Sequence, residues 1–184
     1  DYGYLGWVSA RRDLDRLPKE APNNNNDRAC TELSRAKNYL VLLNPEAFSS
    51  KESYIASLAA SNYDLLIIDA YYGDSMLTPQ DVARLQYKPG GSRRLVASYM
   101  SVGEAEDYRP YWQPKWETNP PDWMWIANGD WEGNYRVRYW SKDWQKMLMG
   151  SPQSYLDQIL AAGFDGAFLD VIDVFYVFED IANQ

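Results

Sequence analysis

After a stretch rich in Pro and Asn over residues 18–27, the chain alternates short apolar runs with longer amphipathic segments, the pattern that βαβ units leave in a sequence. Residues 39–43, closed by Asn44-Pro45, and residues 64–69 read as buried parallel strands, because they stay apolar at successive positions instead of alternating. Between them Tyr54, Ile55, Leu58 and Ala59 recur at helical spacing, with Ser50 and Ser53 as start signals, which predicts a helix over residues 50–60. Thr78-Pro79-Gln80-Asp81 sets a capping hydroxyl before a proline at the first helical position. That helix is predicted to continue through Val82 and Leu85 until Pro89-Gly90-Gly91. Further strands are expected over residues 94–100, around 123–126 and over 164–169, the last ending at Asp170. A helix is expected to open at Ser151-Pro152, run through Leu160 and close at Gly163.

The count is about five parallel strands, with residues 4–9 as an additional strand, in one domain over residues 1–184. The class is α/β. A (β/α)8 barrel takes about 250 residues, so this chain would hold an incomplete one, truncated on its C-terminal side. The other architecture open at this point is a doubly wound sheet.

Composition narrows the chemistry. Apolar residues make up 46% and aromatic ones 15%, enough for a sizeable core, and no apolar run approaches the ~20 residues of a membrane helix. Nothing at the start of the chain has the form of an export leader. Histidine is absent, which removes Ser/His/Asp and Cys/His nucleophile systems and His-ligated metals. Catalysis would therefore rest on carboxylates, with no metal and no cofactor expected. Cys30 is the one cysteine and reads as a free thiol. A net charge of -8 and a pI near 4.6 argue against a nucleic-acid partner. They favour a cationic one, although solubility alone also accounts for the acidity.

Three strands end in acids, Asp69, Glu104 and Asp170. In parallel α/β folds the C-terminal strand ends line the face where chemistry is assembled. Any one of these acids can serve as a cap or turn residue; three together point to a site. Neighbouring strands lie ~4.8 Å apart, so acids on adjacent strands fall within the ~5 to 9.5 Å separations used by two-carboxylate glycosidases. Around Glu104 stand Ser101, Glu106, Asp107 and Arg109, and Gly103 allows a sharp turn or a close ligand approach. Arg109 is expected to pair with Glu106 or Asp107, and Glu106 is open between such pairing and ligand contact. Asp173 follows Asp170 at a spacing that suits a helix cap.

Aromatic rings are the other half of a sugar site, since the apolar faces of pyranose rings stack on Trp and Tyr. Seven of the eight tryptophans fall between Trp112 and Trp144. Trp116, Trp123, Trp125 and Trp144 are assigned to packing, and Tyr72, Tyr99, Trp140 and Tyr176 are candidates for substrate contact.

The segments Tyr99-Met100-Ser101-Val102-Gly103-Glu104-Ala105-Glu106-Asp107-Tyr108-Arg109, Tyr111-Trp112, Trp131-Glu132-Gly133-Asn134-Tyr135-Arg136-Val137-Arg138-Tyr139-Trp140 and Gly163-Phe164-Asp165-Gly166-Ala167-Phe168-Leu169-Asp170 resemble the endo-α-1,4-polygalactosaminidase-like glycoside hydrolases. The resemblance runs from about residue 64 to residue 179. It implies a TIM-type barrel, a secreted or cell-envelope location, and hydrolysis of α-1,4-linked galactosamine polymers. Such a polymer, when deacetylated, is cationic, which gives the acidity a use. The family's strand-end acids match Asp170 and Glu104, while in related hydrolases the second catalytic carboxylate lies on a later strand.

The expectation is an endo-acting glycoside hydrolase. Asp170 is nucleophile or base, Glu104 is acid or substrate-orienting carboxylate, and Asp69 is a neighbour whose charge tunes them. Glu106, Tyr72, Tyr99, Arg109, Trp140, Asp173 and Tyr176 are expected to contact a polysaccharide or amino-sugar oligosaccharide. The alternatives are a carbohydrate-binding barrel without chemistry, an inactive fragment, and another enzyme class on the same barrel, such as a deacetylase.

Overall fold

The computed structural model describes residues 5, 9 and 11–182, so the strand expected over residues 4–9 lies for the most part outside the described residues. In chain order the regular elements are β1 (Tyr39–Leu42), α1 (Lys51–Ala59), β2 (Leu65–Ile68), β3 (Tyr71–Tyr72), β4 (Ser75–Met76), α2 (Pro79–Leu85) and β5 (Leu95–Ser101). They continue with β6 (Glu104–Glu106), β7 (Met124–Ala127), β8 (Asn134–Val137), α3 (Lys142–Leu148), α4 (Tyr155–Ala161), β9 (Gly166–Asp170) and α5 (Phe175–Ala182).

The strands β1, β2, β5 and β9 form a parallel sheet in that order. Strand position follows chain order without reversal. That is the single-direction winding of (β/α) barrels; a doubly wound sheet reverses at a switch point. The strand expected around residues 123–126 is not a member of this sheet. As β7 it lies antiparallel to β8 in a second sheet of order β6-β8-β7. The parallel count is therefore four among the described residues, not five.

By contact density the chain divides into two compact units, Asp1–Tyr99 with Ile159–Phe168, and Met100–Gln158 with Leu169–Gln184. In the first, β2 is buried at every position, as a central parallel strand must be. Leu40, Leu42, Leu66, Ile68 and Val96 from the strands, with Ile55, Leu58, Val82 and Leu85 from α1 and α2, are fully buried. Each such side chain contributes about 1.5–3 kcal/mol of burial free energy.

Both start signals form capping boxes. Ser50 accepts from the Ser53 amide while the Ser53 hydroxyl accepts from the Ser50 amide, and Thr78 and Asp81 do the same at α2. Helix α2 stops at Leu85, short of the expected Pro-Gly-Gly terminator. Arg94 supplies the reason: its guanidinium, wholly buried, draws on the carbonyls of Leu85 (2.5 Å), Tyr87 (2.9 Å), Leu58 (3.0 Å) and Ser61 (2.8 Å). It thereby closes the C-terminal ends of α1 and α2, and residues 87–93 turn back through a Tyr87–Arg93 bridge. Helix α4 begins at Tyr155, later than expected. Ser151 and Pro152 form a preceding turn, and Ser154 with Asp157 supplies the start spacing. Gly163 follows α4 at a φ of 92°.

A buried ion pair anchors the residues before β1. Lys88 Nζ lies 2.5 Å from Asp64 with both side chains at most 2% exposed, and it also donates to the carbonyls of Asn26 and Arg28. Cys30 is buried beside it as a free thiol, and burial raises its pKa. Among the described residues no helix is long and apolar enough to cross a membrane.

Candidate active site

The second unit holds the segment around Glu104 and the end of β9. Ser101 ends β5, and the chain turns at Val102-Gly103 before Glu104 opens β6. Glu104 is thus the first residue of an antiparallel strand, not the last residue of a parallel one. The turn is held from several sides. Val102 donates to the Asp170 carbonyl (3.1 Å), Trp144 Nε1 donates to the Val102 carbonyl (2.9 Å), and Val137 donates to the Gly103 carbonyl (3.0 Å). Gly103 is required sterically: a Cβ there would lie 2.2 Å from the Val171 carbonyl oxygen and 2.8 Å from the Val174 side chain.

Alternation along β6, and its register with β8, put Glu104 opposite Arg136 and Glu106 opposite Asn134 on one face. That face is a continuous polar network. Glu104, 3% exposed, accepts from Asn128 Nδ2 (2.8 Å) at one oxygen and from Asn134 Nδ2 (3.0 Å) at the other, with Arg136 Nε at 3.9 Å. Glu106, 1% exposed, accepts from Arg109 Nε (2.6 Å) and from the Tyr108 hydroxyl (2.8 Å). Buried acids are tolerable here because each has charged or amide donors. The pairing expected for Arg109 is with Glu106. Asp107 points elsewhere, with its carboxylate over Gly133 and its pKa raised by partial burial and by the charges of Glu117 and Glu132.

Asp170 ends β9 half-buried, and among the described residues its carboxylate has no hydrogen-bond or ion-pair partner. Val171, next to it, takes a left-handed φ of 57°, which is uncommon for a β-branched residue. Backbone conformations of this kind persist where surrounding structure fixes them, and they cluster at functional sites. Asp173 lies in the short 3-10 turn Ile172–Val174, exposed, and Tyr176 is exposed on α5.

The remaining candidates separate by unit. Asp69 follows β2 in the first unit, half-buried, and accepts from the Tyr71 amide (2.8 Å). In the same unit the Tyr72 hydroxyl donates to the Phe48 carbonyl (2.9 Å), and Tyr99 is buried within β5. In the second unit Trp140 is 49% exposed; Trp116, Trp123 and Trp144 are core, as assigned, whereas Trp125, also assigned to packing, is half-buried. The residues missed from the sequence are Asn128 and Asn134, which hold Glu104 from 24 and 30 positions away. Asn134 stood inside a quoted motif, but its partner was not readable there. Among the described residues no group of three or more His, Cys, Asp or Glu is placed to hold a metal ion.

An α/β chain with a singly wound parallel sheet, one strand of which ends at Asp170, has the winding of the (β/α) barrel class. The family model of glycoside-hydrolase family GH114 matches residues 38–184, and the chain belongs to that family. An uncharacterised protein of Methanocaldococcus jannaschii is 34% identical over 177 residues, covering 94% of this chain and 48% of the relative. An uncharacterised protein of Deinococcus radiodurans is 33% identical over 124 residues, 67% of this chain and 38% of its own length. The chain thus spans about half or less of the curated relatives it matches. Among solved structures, the glycoside hydrolase domain of PelA from Pseudomonas aeruginosa is 20% identical with a TM-score of 0.49, over 76% of this chain and 45% of that one.

Proposed function

We propose that the chain carries part of the active site of an endo-acting glycoside hydrolase that cleaves an α-1,4-linked galactosamine-containing polysaccharide. Family membership supports the reaction class, and the Asp170 carboxylate at the end of β9, without a partner among the described residues, is the observation that carries the mechanism. Asp170 acts as nucleophile or base. A proton donor needs an O–H aimed at the leaving oxygen, but each Glu104 oxygen already faces an amide N–H. Glu104 therefore fits the substrate-orienting role. The site works in a secreted or cell-envelope protein, where such a polymer is met, and residues 1–184 belong to one barrel domain.

Binding without cleavage is the second reading. It is supported by Glu104 and Glu106 both being committed to internal partners. Incubating the full-length protein with α-1,4-galactosamine polymer and measuring new reducing ends separates the two. Mid-chain cuts support hydrolysis, and binding with no new ends supports the second reading.

A further inference from the structure

Trp144 of α3 is wholly buried, and a packing role needs only its ring. That ring lies 5.0 Å from Trp123 and meets Tyr111 edge to face at 5.9 Å. Its indole N–H does something further. A buried N–H must find an acceptor, and this one takes the carbonyl of Val102, in the turn between β5 and β6, at 2.9 Å. From the same residue the Val102 amide donates to the Asp170 carbonyl at 3.1 Å. Two successive hydrogen bonds therefore link the Trp144 side chain to the backbone of the residue assigned as nucleophile or base.

The turn after Asp170 is gripped by the same segment. Val171 takes a φ of 57° and a ψ of 33°, a conformation that a β-branched residue keeps only under outside constraint. Residues 102–103 supply it: Val102 binds the Asp170 carbonyl, and Gly103 packs so closely on the Val171 carbonyl oxygen that a Cβ would stand 2.2 Å away. The segment itself is fixed by Trp144 at the Val102 carbonyl and by the Val137 amide, which donates to the Gly103 carbonyl at 3.0 Å. The Asp170 carboxylate has no partner among the described residues to aim it, so its direction follows from its backbone and rotamer. A supported site holds a reacting group to within roughly 0.5 Å, and a misplacement of about 1 Å costs on the order of 100-fold in rate.

We infer that Trp144 is a positioning residue: its indole N–H, acting through Val102, sets the Asp170–Val171 turn and thereby the aim of the Asp170 carboxylate. The placement stands on the geometry, and its consequence for catalysis rests on the hydrolase reading. The test compares the full-length protein carrying Trp144→Phe, which keeps an aromatic ring and removes the N–H, with Trp116→Phe, the same truncation two rings away in the same core. On α-1,4-galactosamine polymer, Trp144→Phe is expected to lower kcat at least about tenfold with KM within about twofold, whereas Trp116→Phe leaves both within about twofold. Relative to the Leu66 amide of β2, the Val102 amide is expected to exchange with solvent at least about tenfold faster in Trp144→Phe. The carboxylate carbon resonance of Asp170 is expected to move with it. Neither changes in Trp116→Phe.

Should Trp144→Phe fail to fold, Trp144→benzothienylalanine, with sulfur in place of the ring N–H at nearly the same shape, replaces it in every measurement. The positioning role is overturned if kcat stays within about twofold of wild type, if KM rises as much as kcat falls, or if Trp116→Phe loses as much as Trp144→Phe. It is also overturned if Val102 exchange and the Asp170 resonance stay at their wild-type values. A wild type that releases no reducing ends refutes the hydrolase reading alone, and the exchange and carboxylate readouts then decide the positioning role by themselves.

Discussion

Replacing Arg94 with methionine probes the most heavily loaded buried cation of the first unit. Its guanidinium donates to the carbonyls of Leu85, Tyr87, Ser61 and Leu58, with no carboxylate among its hydrogen-bond partners, and burial lowers its pKa to about 10. It is therefore charged at neutral pH. Its compensation comes from the carbonyl ends of α1 and α2, where helix dipoles favour a cation. Methionine keeps much of the apolar stem but leaves those carbonyls short of a donor, at about 1–3 kcal/mol for each one left unsatisfied. Relief from burying a charge offsets several kcal/mol of that. A net loss of about 3 kcal/mol follows, which for a chain of this size lowers Tm by roughly 6–12 °C. Circular-dichroism melts of wild type, Arg94→Met and Arg94→Lys measure it, with lysine expected between the other two because its single ammonium reaches fewer carbonyls. A methionine variant melting within about 2 °C of wild type, or above it, would show that desolvation outweighs the carbonyl cage.

Gly103→Ala forces a methyl against the Val171 carbonyl, so it is expected to destabilise by at least about 1–3 kcal/mol in chemical denaturation. Asp107 has its pKa raised by burial and by Glu117 and Glu132, so its charged form is disfavoured in the folded state. Asp107→Asn should therefore be more stable than wild type at pH 7, with the gap closing as pH falls below the ordinary carboxylate value, read from melts across pH. Burial opposes ionisation of Asp81, but Lys51 and the Thr78 bonds outweigh it and lower its pKa. Its contribution is present above about pH 4 and is lost as pH falls through the folded value. Asp81→Asn should cost about 1 kcal/mol at pH 7 and progressively less in acid, measured by urea midpoints at several pH values.

The parallel sheet and its helix starts were readable because their signals are local. Ser50 with Ser53, and Thr78 with Asp81, lie three residues apart, and β2 is a plain apolar run. An acidic partner for Arg109 two or three residues before it was readable for the same reason, while the choice of Glu106 over Asp107 was not. The second sheet was not. β6 reads Glu-Ala-Glu, with both carboxylates buried; Glu106 is held locally by Tyr108 and Arg109, but Glu104 is made tolerable by the distant Asn128, Asn134 and Arg136. The α2 stop escaped as well, because the agent that ends it is Arg94, nine residues beyond the Leu85 carbonyl it binds. Asp170 was legible as a strand end, whereas the left-handed turn beside it depends on Gly103 from another element.

In the proposed mechanism Asp170 performs chemistry while its neighbours orient the sugar. It is tested most directly by Asp170→Asn in the full-length protein, an isosteric change at a half-buried position with no internal partner among the described residues. Reducing-end release from α-1,4-galactosamine polymer is expected to fall by about 10³-fold or more, the scale at which enzymes depend on a nucleophile, while affinity for an α-1,4-galactosamine hexamer and Tm stay near wild type. Polymer cleavage persisting at wild-type rate in Asp170→Asn would contradict it.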